Sequence, residues 1–387
     1  MLNALVFAFI LLALAIGYAF GRFGFAKKNT PVNQRYASYS KSYFESLTFL
    51  LNEETDEVID RFIADMDVNE QTLEVHLSLG GLLRRKGELA RAVRVHENLL
   101  SKTLQDKTRD LVQLELAQDY IQSGLLDRAE GLLKKIIEQN SVDIKLRANA
   151  LEKLIDVYQN TSEWLKAIDV ADQLTEKKFS ESCDRWTLAQ AQFSCELALE
   201  KTDDTEVLKW IRAALRYNPN CVRATLLQAK LEIKGGEKLK AIVTLNNAFS
   251  QDDTLASEVI DELEKLCDNP ALLADFIRSM CRYLNKTQNA YALATLFRVS
   301  SAEEGFALAL ERIKPYLPQY PHLAPALAMV KSIEALDSKI LADSLRPPLE
   351  SLLKTNKSYE CQRCGFRGSE IHWLCPSCKV WESVKLR

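Results

Sequence analysis

A small residue recurs along the middle of the chain at an interval close to that of a structural repeat. Ala92, Ala129, Ala167, Val207 and Ala241 are separated by 37, 38, 40 and 34 residues. Each lies in a segment with apolar residues at i, i+3, i+4 and i+7, which is the period of a half-buried helix. No such segment can bury its apolar face alone, so the sequence predicts helix pairs that stack on one another.

Three segments carry the pattern most clearly, and each contains two helical stretches around a short turn. They are "HLSLGGLLRRKGELARAVRVHENLL", "QLELAQDYIQSGLLDRAEGLLKKII" and "LEKLIDVYQNTSEWLKAIDVADQL". Where two helices cross closely only Gly or Ala fits, and large side chains fill the gaps towards the next pair. The period and this pattern are typical of tetratricopeptide repeats. The alternative is one compact helical domain whose periodicity is coincidental.

We therefore predict an all-α tetratricopeptide-repeat solenoid over residues 36–345, with its clearest repeats over 73–250. Beyond residue 250 the pattern decays, and we expect further helical pairs that close the array. These helices should break at Asn269-Pro270, Pro318 and Pro321, because proline cannot continue a helix. The low content of 13 glycines and 10 prolines in 387 residues also favours long helices over a turn-rich β architecture.

Charge and motif content argue against two functional classes. The formal net charge is -3 and no basic stripe is present, so we predict no nucleic-acid partner. The motifs G-x-x-x-x-G-K-[ST], G-x-S-x-G and H-E-x-x-H are all absent. His96-Glu97 begins the last of these, but the second histidine is missing. We therefore predict a protein that is not an enzyme.

The N-terminal residues 2–20 contain no charged side chain and are about as long, as a helix, as a bilayer core is thick. Arg22, Lys27 and Lys28 follow directly. Since positive flanks stay on the cytoplasmic side, we predict a transmembrane anchor at residues 1–21 and a basic juxtamembrane linker at 22–35. The N-terminus then faces outward, and the bulk of the chain lies on the cytoplasmic side. A cleaved signal peptide would need a positive segment before the apolar run, and none precedes it.

The C-terminal segment "CQRCGFRGSEIHWLCPSC" has two Cys-x-x-Cys pairs around ten residues. Four thiolates at this spacing can surround one metal ion tetrahedrally, so we predict a metal site at Cys361, Cys364, Cys375 and Cys378. The alternative is a pair of redox dithiols. His372 is left out of the ligand set because four better ligands are present. Residues 356–387 are thus predicted to form a rubredoxin-like knuckle, in which Gly365 takes a positive φ and Phe366 and Trp373 cover the metal.

The metal should supply much of the folding free energy of so small a knuckle. Tetrahedral sulfur suits zinc or iron. We favour structural zinc, because Lys379 follows the second pair where rubredoxin-type electron carriers tend to have Gly, and because no flavin or nicotinamide fingerprint occurs in the chain. An iron site would instead make the protein a membrane-tethered electron carrier that docks through its solenoid.

Five further cysteines are scattered singly through the helical segments. In a reducing compartment they are most simply small buried hydrophobic residues. They are Cys183, Cys195, Cys221, Cys267 and Cys281.

The order of anchor, repeats and knuckle resembles that of the lipopolysaccharide assembly protein B family of Gram-negative bacteria. The segments that carry the resemblance are "HLSLGGLLRRKGELARAVRVHENLL", "TSEWLKAIDVADQL" and "CQRCGF…WLCPSCKVW". The resemblance implies an adaptor at the cytoplasmic face of the inner membrane, with a single transmembrane pass and a periplasmic N-terminus. Its expected partners are the protease FtsH, the deacetylase LpxC that FtsH degrades, and an inner-membrane protein that senses lipopolysaccharide. Only the four knuckle cysteines carry over as functional residues.

Overall fold

The computed structural model describes residues 73–102, 106–139, 142–175, 183–249, 251–323, 325–326, 328–331, 347–348, 350–351, 353 and 357–386. Over these ranges the protein is all-α apart from a small sheet near the C-terminus. The predicted anchor, the basic linker and the part of the predicted solenoid before residue 73 lie outside the described residues. Among the helices described, none has the length and apolar character that a bilayer crossing requires.

The helices follow one another along the chain with short connections, as the repeat pattern predicts. They are α1 (Leu73–Lys86), α2 (Leu89–Ser101), α3 (Asp106–Gln122), α4 (Leu126–Glu138), α5 (Ile144–Asn160), α6 (Trp164–Thr175), α7 (Cys183–Glu200), α8 (Asp204–Tyr217), α9 (Val222–Lys234), α10 (Lys238–Ala248), α11 (Ala256–Leu266), α12 (Pro270–Leu284), α13 (Ala290–Glu303) and α14 (Phe306–Ile313).

The chain divides into an N-terminal module that ends at Ile136 and a C-terminal module that begins at Ile137. In the N-terminal module α2 packs against both α1 and α3. In the C-terminal module each helix from α5 to α11 packs against the next one, and the pairs α12 with α13 and α13 with α14 follow. This succession of neighbouring helices confirms the predicted tetratricopeptide-type fold.

The small residues of the repeat lie where the helices cross. Ala92, Ala129, Ala167 and Ala241 are each the fourth residue of a second helix and are completely buried. Val207 takes the same place in α8 but is only partly buried, and its neighbour across one turn, Ile211, is the buried residue there. The repeat register is therefore as predicted. In the fourth repeat, however, the buried residue at the helix crossing is Ile211 and not Val207.

The turns after α1, α3, α5 and α9 share one backbone geometry. In three of them a glycine has positive φ: Gly87 at 85°, Gly124 at 74° and Gly236 at 77°. In the turn of the third repeat Ser162 takes this conformation, with φ of 58°. Each turn is closed by the next amide, which donates to a carbonyl five residues earlier, as Glu163 does to Tyr158 at 2.8 Å. The sequence "NTSEW" thus forms the same turn as the glycine sequences at the cost of a strained serine.

The helices after residue 250 form paired elements, as expected from their amphipathic pattern. Helices α9 to α14 share one continuous apolar core. The break predicted at Asn269-Pro270 is the start of α12, where Asn269 caps the helix by accepting from the Leu272 amide at 2.9 Å and Pro270 lies in the first turn. Pro318 and Pro321 lie in short 3₁₀ turns after α14. Residues 332–346 lie outside the described ranges.

Two adjacent glycines offer a matched test of the turn geometry. Gly236 has positive φ, whereas Gly235 has φ of -75°, and neither has an atom close enough to clash with an added Cβ. We expect Gly236→Ala to lower the free energy of unfolding by about 1–2 kcal/mol, the cost of a left-handed alanine. Gly235→Ala should be neutral or stabilising by a few tenths of a kcal/mol, because alanine has less freedom to lose when the chain folds. Urea unfolding of both variants measures the difference, and equal effects would show that the turn is not held in this conformation.

Candidate metal centre

The knuckle is built on a three-stranded antiparallel sheet. Its strands are β1 (Tyr359–Cys361), β2 (Arg367–Gly368) and β3 (Val384–Leu386), in the order β2-β1-β3. Tyr359 pairs with Gly368 on one side and with Leu386 on the other, and Cys361 pairs with Val384. The central strand thereby ends at the first cysteine and sets the position of the first Cys-x-x-Cys turn.

The structure brings all four predicted cysteines together. Their sulfur atoms lie within 4.8 Å of one another. The Cys361 and Cys378 sulfurs are 3.6 Å apart, and those of Cys364 and Cys375 are 3.7 Å apart. Zinc–sulfur bonds of about 2.3 Å in a tetrahedron place the sulfurs about 3.8 Å apart, so the arrangement suits one metal ion. Cys361 and Cys375 are buried, whereas Cys364 is exposed.

The two cysteine turns have the same backbone geometry. Gly365 has φ of 75°, as predicted, and its amide donates to the Cys361 carbonyl at 2.9 Å. Lys379 takes the equivalent place after the second pair, with φ of 55°, and its amide donates to the Cys375 carbonyl at 3.0 Å. Lys379 therefore adopts a conformation that favours glycine, so its side chain does not change the path of the turn.

Hydrogen bonds to the sulfurs favour the thiolate form that binds a metal. Burial raises the pKa of Cys361, but hydrogen bonds with Ser383 and with the Cys364 and Arg363 amides outweigh burial and bring the pKa to about 6. The Phe366 amide is the main cause that lowers the pKa of Cys364. The lowered pKa values of Cys361 and Cys364 therefore favour the charged sulfur that binds a metal cation.

The two aromatic residues predicted to cover the metal have different positions. Phe366 packs in the small core of the knuckle with Tyr359 and Val384. Trp373 instead packs against the helical core of the C-terminal module, so the expectation that it covers the metal is wrong. His372 contacts the Phe366 ring edge-on at 5.5 Å, and the four-sulfur cluster does not include it.

The knuckle docks on the helices through Trp381. We call the contact of Trp381 with Trp164, Phe193 and Gln159 the aromatic seat. The Trp381 ring meets Trp164 of α6 at 6.2 Å and Phe193 of α7 at 6.0 Å, both edge-on. Its Nε1 donates to the Gln159 Oε1 of α5 at 2.8 Å. Edge-on aromatic pairs add about 0.5–1.5 kcal/mol each beyond the area they bury. The ring is therefore both packed and satisfied by a hydrogen bond.

Arg223 of α9 extends the aromatic seat to the second knuckle tryptophan. Its guanidinium lies 5.7 Å from the Trp373 ring centre and 5.8 Å from that of Trp381. The same group donates to Glu196 at 2.8 Å, and the residue is only 7% exposed. A desolvated cation–π contact contributes about 2 kcal/mol. The Arg223 guanidinium therefore contacts both tryptophan rings while it is also paired with Glu196.

The buried side-chain amide of Gln192 links Arg223 to a turn of the knuckle. Gln192 of α7 donates to the Glu382 carboxylate at 2.5 Å and accepts from Arg223 at 3.2 Å. Glu382 has φ of 53°, and burial raises the pKa of its carboxyl group. The completely buried Gln192 thus bridges a cation of the helices and an acid of the knuckle.

Ion pairs hold the opposite edge of the knuckle. Lys385 of β3 contacts Asp252 at 2.6 Å, and Lys357 contacts Glu258 at 2.7 Å and Asp261 at 2.5 Å. Burial raises the pKa of Asp252, but Lys385 and Thr254 outweigh burial and leave it below its usual value. These pairs are partly exposed, and such pairs contribute at most about 1 kcal/mol each. The aromatic seat therefore dominates the docking energy.

The contacts together place the knuckle on α5, α7, α9 and α11, which are the first helices of successive repeats, with Trp164 at the start of α6. The sequence predicted the four cysteines but not this docking surface. Two signals were available: "KVW" directly after the last cysteine, and polar residues on the otherwise apolar helices α7 and α9. Neither signal identifies its partner, since these contacts join residues 96 to 222 positions apart.

Comparison with known proteins agrees with the two parts of the chain. Residues 359–385 match a family model described as a rubredoxin metal binding domain. The chain is 29% identical over 389 residues to the lipopolysaccharide assembly protein B of Escherichia coli K12, covering 98% of this chain and 97% of the relative. It is 28% identical to the protein of the same name from Haemophilus influenzae, again covering 98% and 97%. The chain is thus similar over almost its whole length to lipopolysaccharide assembly protein B of two bacteria.

Solved repeat proteins also resemble the helical part, at low similarity. A tetratricopeptide repeat protein from Parabacteroides merdae is 16% identical, with a TM-score of 0.36, and covers 73% of this chain and 99% of that chain. The MamA protein is 17% identical, with a TM-score of 0.35, over 49% and 96%. The fold assignment rests on the helix pairs described above.

The metal centre makes a direct prediction about composition. Full-length protein should bind one metal ion per chain, and the variant Cys361→Ser with Cys364→Ser should lose it, because two thiolates cannot complete the tetrahedral set. Inductively coupled plasma mass spectrometry measures the metal content per chain and checks this prediction. Cys267→Ser with Cys281→Ser is the matched control, since these two cysteines lie outside the cluster. An unchanged metal content in the first variant would contradict the site.

Proposed function

We propose that the protein is an inner-membrane-anchored, cytoplasm-facing adaptor that regulates lipopolysaccharide synthesis by promoting degradation of the deacetylase LpxC by the protease FtsH. In this proposal the protein catalyses no reaction itself. The observation that carries the proposal is the relationship to lipopolysaccharide assembly proteins over 98% of the chain. Repeat arrays of this kind usually provide docking surfaces, which supports the adaptor role.

The mechanism that we propose is an increase in effective concentration. An anchor at residues 1–21 would confine the adaptor and its cargo to the membrane surface, where a membrane protease encounters them repeatedly. The repeats and the knuckle would provide the surfaces that bind FtsH, LpxC and an inner-membrane protein that senses lipopolysaccharide. The docked knuckle covers parts of α5, α7 and α9. A partner of this module would therefore meet the outer face of the knuckle or a part of the repeats that the knuckle leaves open.

We propose structural zinc as the metal. The buried Cys361 and Cys375 and the extensive docking of the knuckle support a role in holding shape. The exposed Cys364 is the one feature that favours the alternative, an iron electron carrier, because electron transfer needs an edge of the cluster near the surface. Ferric tetrathiolate is red and the zinc form is colourless, so the absorption spectrum of the purified protein separates the two.

Anchor variants test the tethering mechanism. In a Gram-negative strain that lacks its own family member, the full chain should shorten the half-life of LpxC, and a chain without residues 1–21 should not. A third variant with an unrelated transmembrane helix in place of residues 1–21 should restore degradation, because tethering requires only confinement to the membrane. LpxC levels after protein synthesis is stopped, measured by immunoblot with active and inactive FtsH, provide the readout.

The outcomes separate tethering from the wider proposal. If the truncated chain degrades LpxC as fast as the full chain, the tethering mechanism is wrong. If the full chain leaves the half-life of LpxC unchanged although it is present in the membrane, the proposed function itself is wrong.

A further inference from the structure

A second pair of thiols lies beneath the knuckle. Cys195 of α7 and Cys221, the residue that precedes α9, are both completely buried, and their sulfurs are 4.0 Å apart. The pair lies in a small buried cluster with Ala191, Ala214 and Ala224, against which Leu215, Tyr217 and Leu227 pack. A disulfide needs a sulfur–sulfur distance of about 2.05 Å, so the two sulfurs must approach by about 2 Å in total. Rotation of the two cysteine side chains is the movement that would close this distance.

The two thiols are not equivalent. Cys221 occupies the N-cap position of α9, and the nearby Ala224 amide is one cause of a lowered pKa of its thiol. The Cys195 thiol is the larger cause of a lowered pKa at Cys221, and the same contact, together with burial, raises the pKa of Cys195. Because a helix N-terminus favours the thiolate, and the thiolate is the nucleophile in thiol–disulfide exchange, the N-cap position of Cys221 makes it the attacking sulfur in our proposal and Cys195 the resolving one.

Knuckle contacts cover this pair. Gln192 donates to the Cys221 sulfur at 3.4 Å and to Glu382 of the knuckle at 2.5 Å. Arg223, two residues after Cys221, lies against Trp373 and Trp381. Gln192 and Arg223 thus lie between the Cys221 sulfur and the knuckle, and both side chains also contact the knuckle. Access to Cys221 therefore requires the aromatic seat to open.

We infer that Cys195 and Cys221 form an oxidation site for low-molecular-weight disulfides, and that the docked knuckle protects it. Disulfides of cytosolic proteins are usually transient and redox-sensing, which fits a pair that is reduced while the knuckle is in place. Oxidation would withdraw the Cys221 sulfur from Gln192 and shift the start of α9, on which Arg223 lies. The disulfide would therefore hinder the return of the knuckle.

The chemistry is two successive exchanges. The Cys221 thiolate attacks one sulfur of the small disulfide, which forms a mixed disulfide and releases one small thiolate. Cys195 then loses its proton and attacks the Cys221 sulfur, which forms the protein disulfide and releases the second small thiolate. The two protein sulfurs lose two electrons in total, and the small disulfide gains two. The proton of Cys195 ends on a released thiolate.

The experiment uses zinc-loaded full chain exposed to glutathione disulfide, followed by alkylation of free thiols, trypsin digestion and mass spectrometry. Cys195 and Cys221 fall in separate tryptic peptides, residues 186–201 and 217–223, each with a single cysteine. Trp381→Ala removes the aromatic seat, and Trp210→Ala on α8 is the size-matched control. We expect the linked peptide to form at least about tenfold faster in Trp381→Ala than in Trp210→Ala or the unmodified sequence, because opening limits access.

Second variants test the assignment of the two thiols. In Trp381→Ala with Cys195→Ser, glutathione should remain on peptide 217–223. In Trp381→Ala with Cys221→Ser, peptide 186–201 should carry none. If Trp381→Ala does not fold, as judged by circular dichroism, chelator-treated unmodified protein replaces it as the undocked form. Free Cys195 and Cys221 in the undocked form would overturn the oxidation site, and equal rates in docked and undocked protein would overturn protection by the knuckle.

Discussion

The contact between the knuckle and the first helices of the repeats is the interaction on which the C-terminal module depends. A knuckle of about 30 residues cannot bury enough surface to fold alone, and helices of this kind each leave an apolar face that a neighbour must cover. Docking through Trp381 addresses both problems, since the tryptophan packs on Trp164 and Phe193 and its indole nitrogen is satisfied by Gln159. The metal orders the knuckle, and the knuckle in turn covers the helices. Metal binding and helix packing are thus linked through the docking contacts, with Trp381 at their centre.

The docked knuckle also affects which part of the repeats a partner can reach. Repeat arrays usually bind partners on an extended surface of stacked helices, and here the C-terminal knuckle lies on the first helices of four successive repeats. The buried Arg223, with a carboxylate on one side and two indole rings on the other, shows that this contact is built like a protein core. The C-terminal module thereby presents a composite surface of helices and knuckle. The buried Cys195 and Cys221 lie directly under that surface.

Much of this architecture could be predicted from the sequence, for identifiable reasons. The repeat register followed from Ala92, Ala129, Ala167 and Ala241, because a close helix crossing excludes larger side chains. The four metal-centre cysteines followed from their spacing, because only a short turn can aim two sulfurs at one point. The docking did not follow, since Trp381 meets Gln159 across 222 positions and no periodicity links them. Trp373 was misplaced for the same reason: a tryptophan beside a metal motif can cover the metal or a partner surface equally well.

Hydrogen–deuterium exchange of the full chain, with and without the metal, tests most directly whether the metal-ordered knuckle braces the helices. On metal removal the account predicts faster exchange not only in residues 357–386 but also in α7 and α9, which carry Gln192 and Arg223. Residues 73–101 of α1 and α2 should exchange as before. Faster exchange confined to the knuckle, with α7 and α9 unchanged, would contradict the claim that the knuckle stabilises the repeats on which it lies.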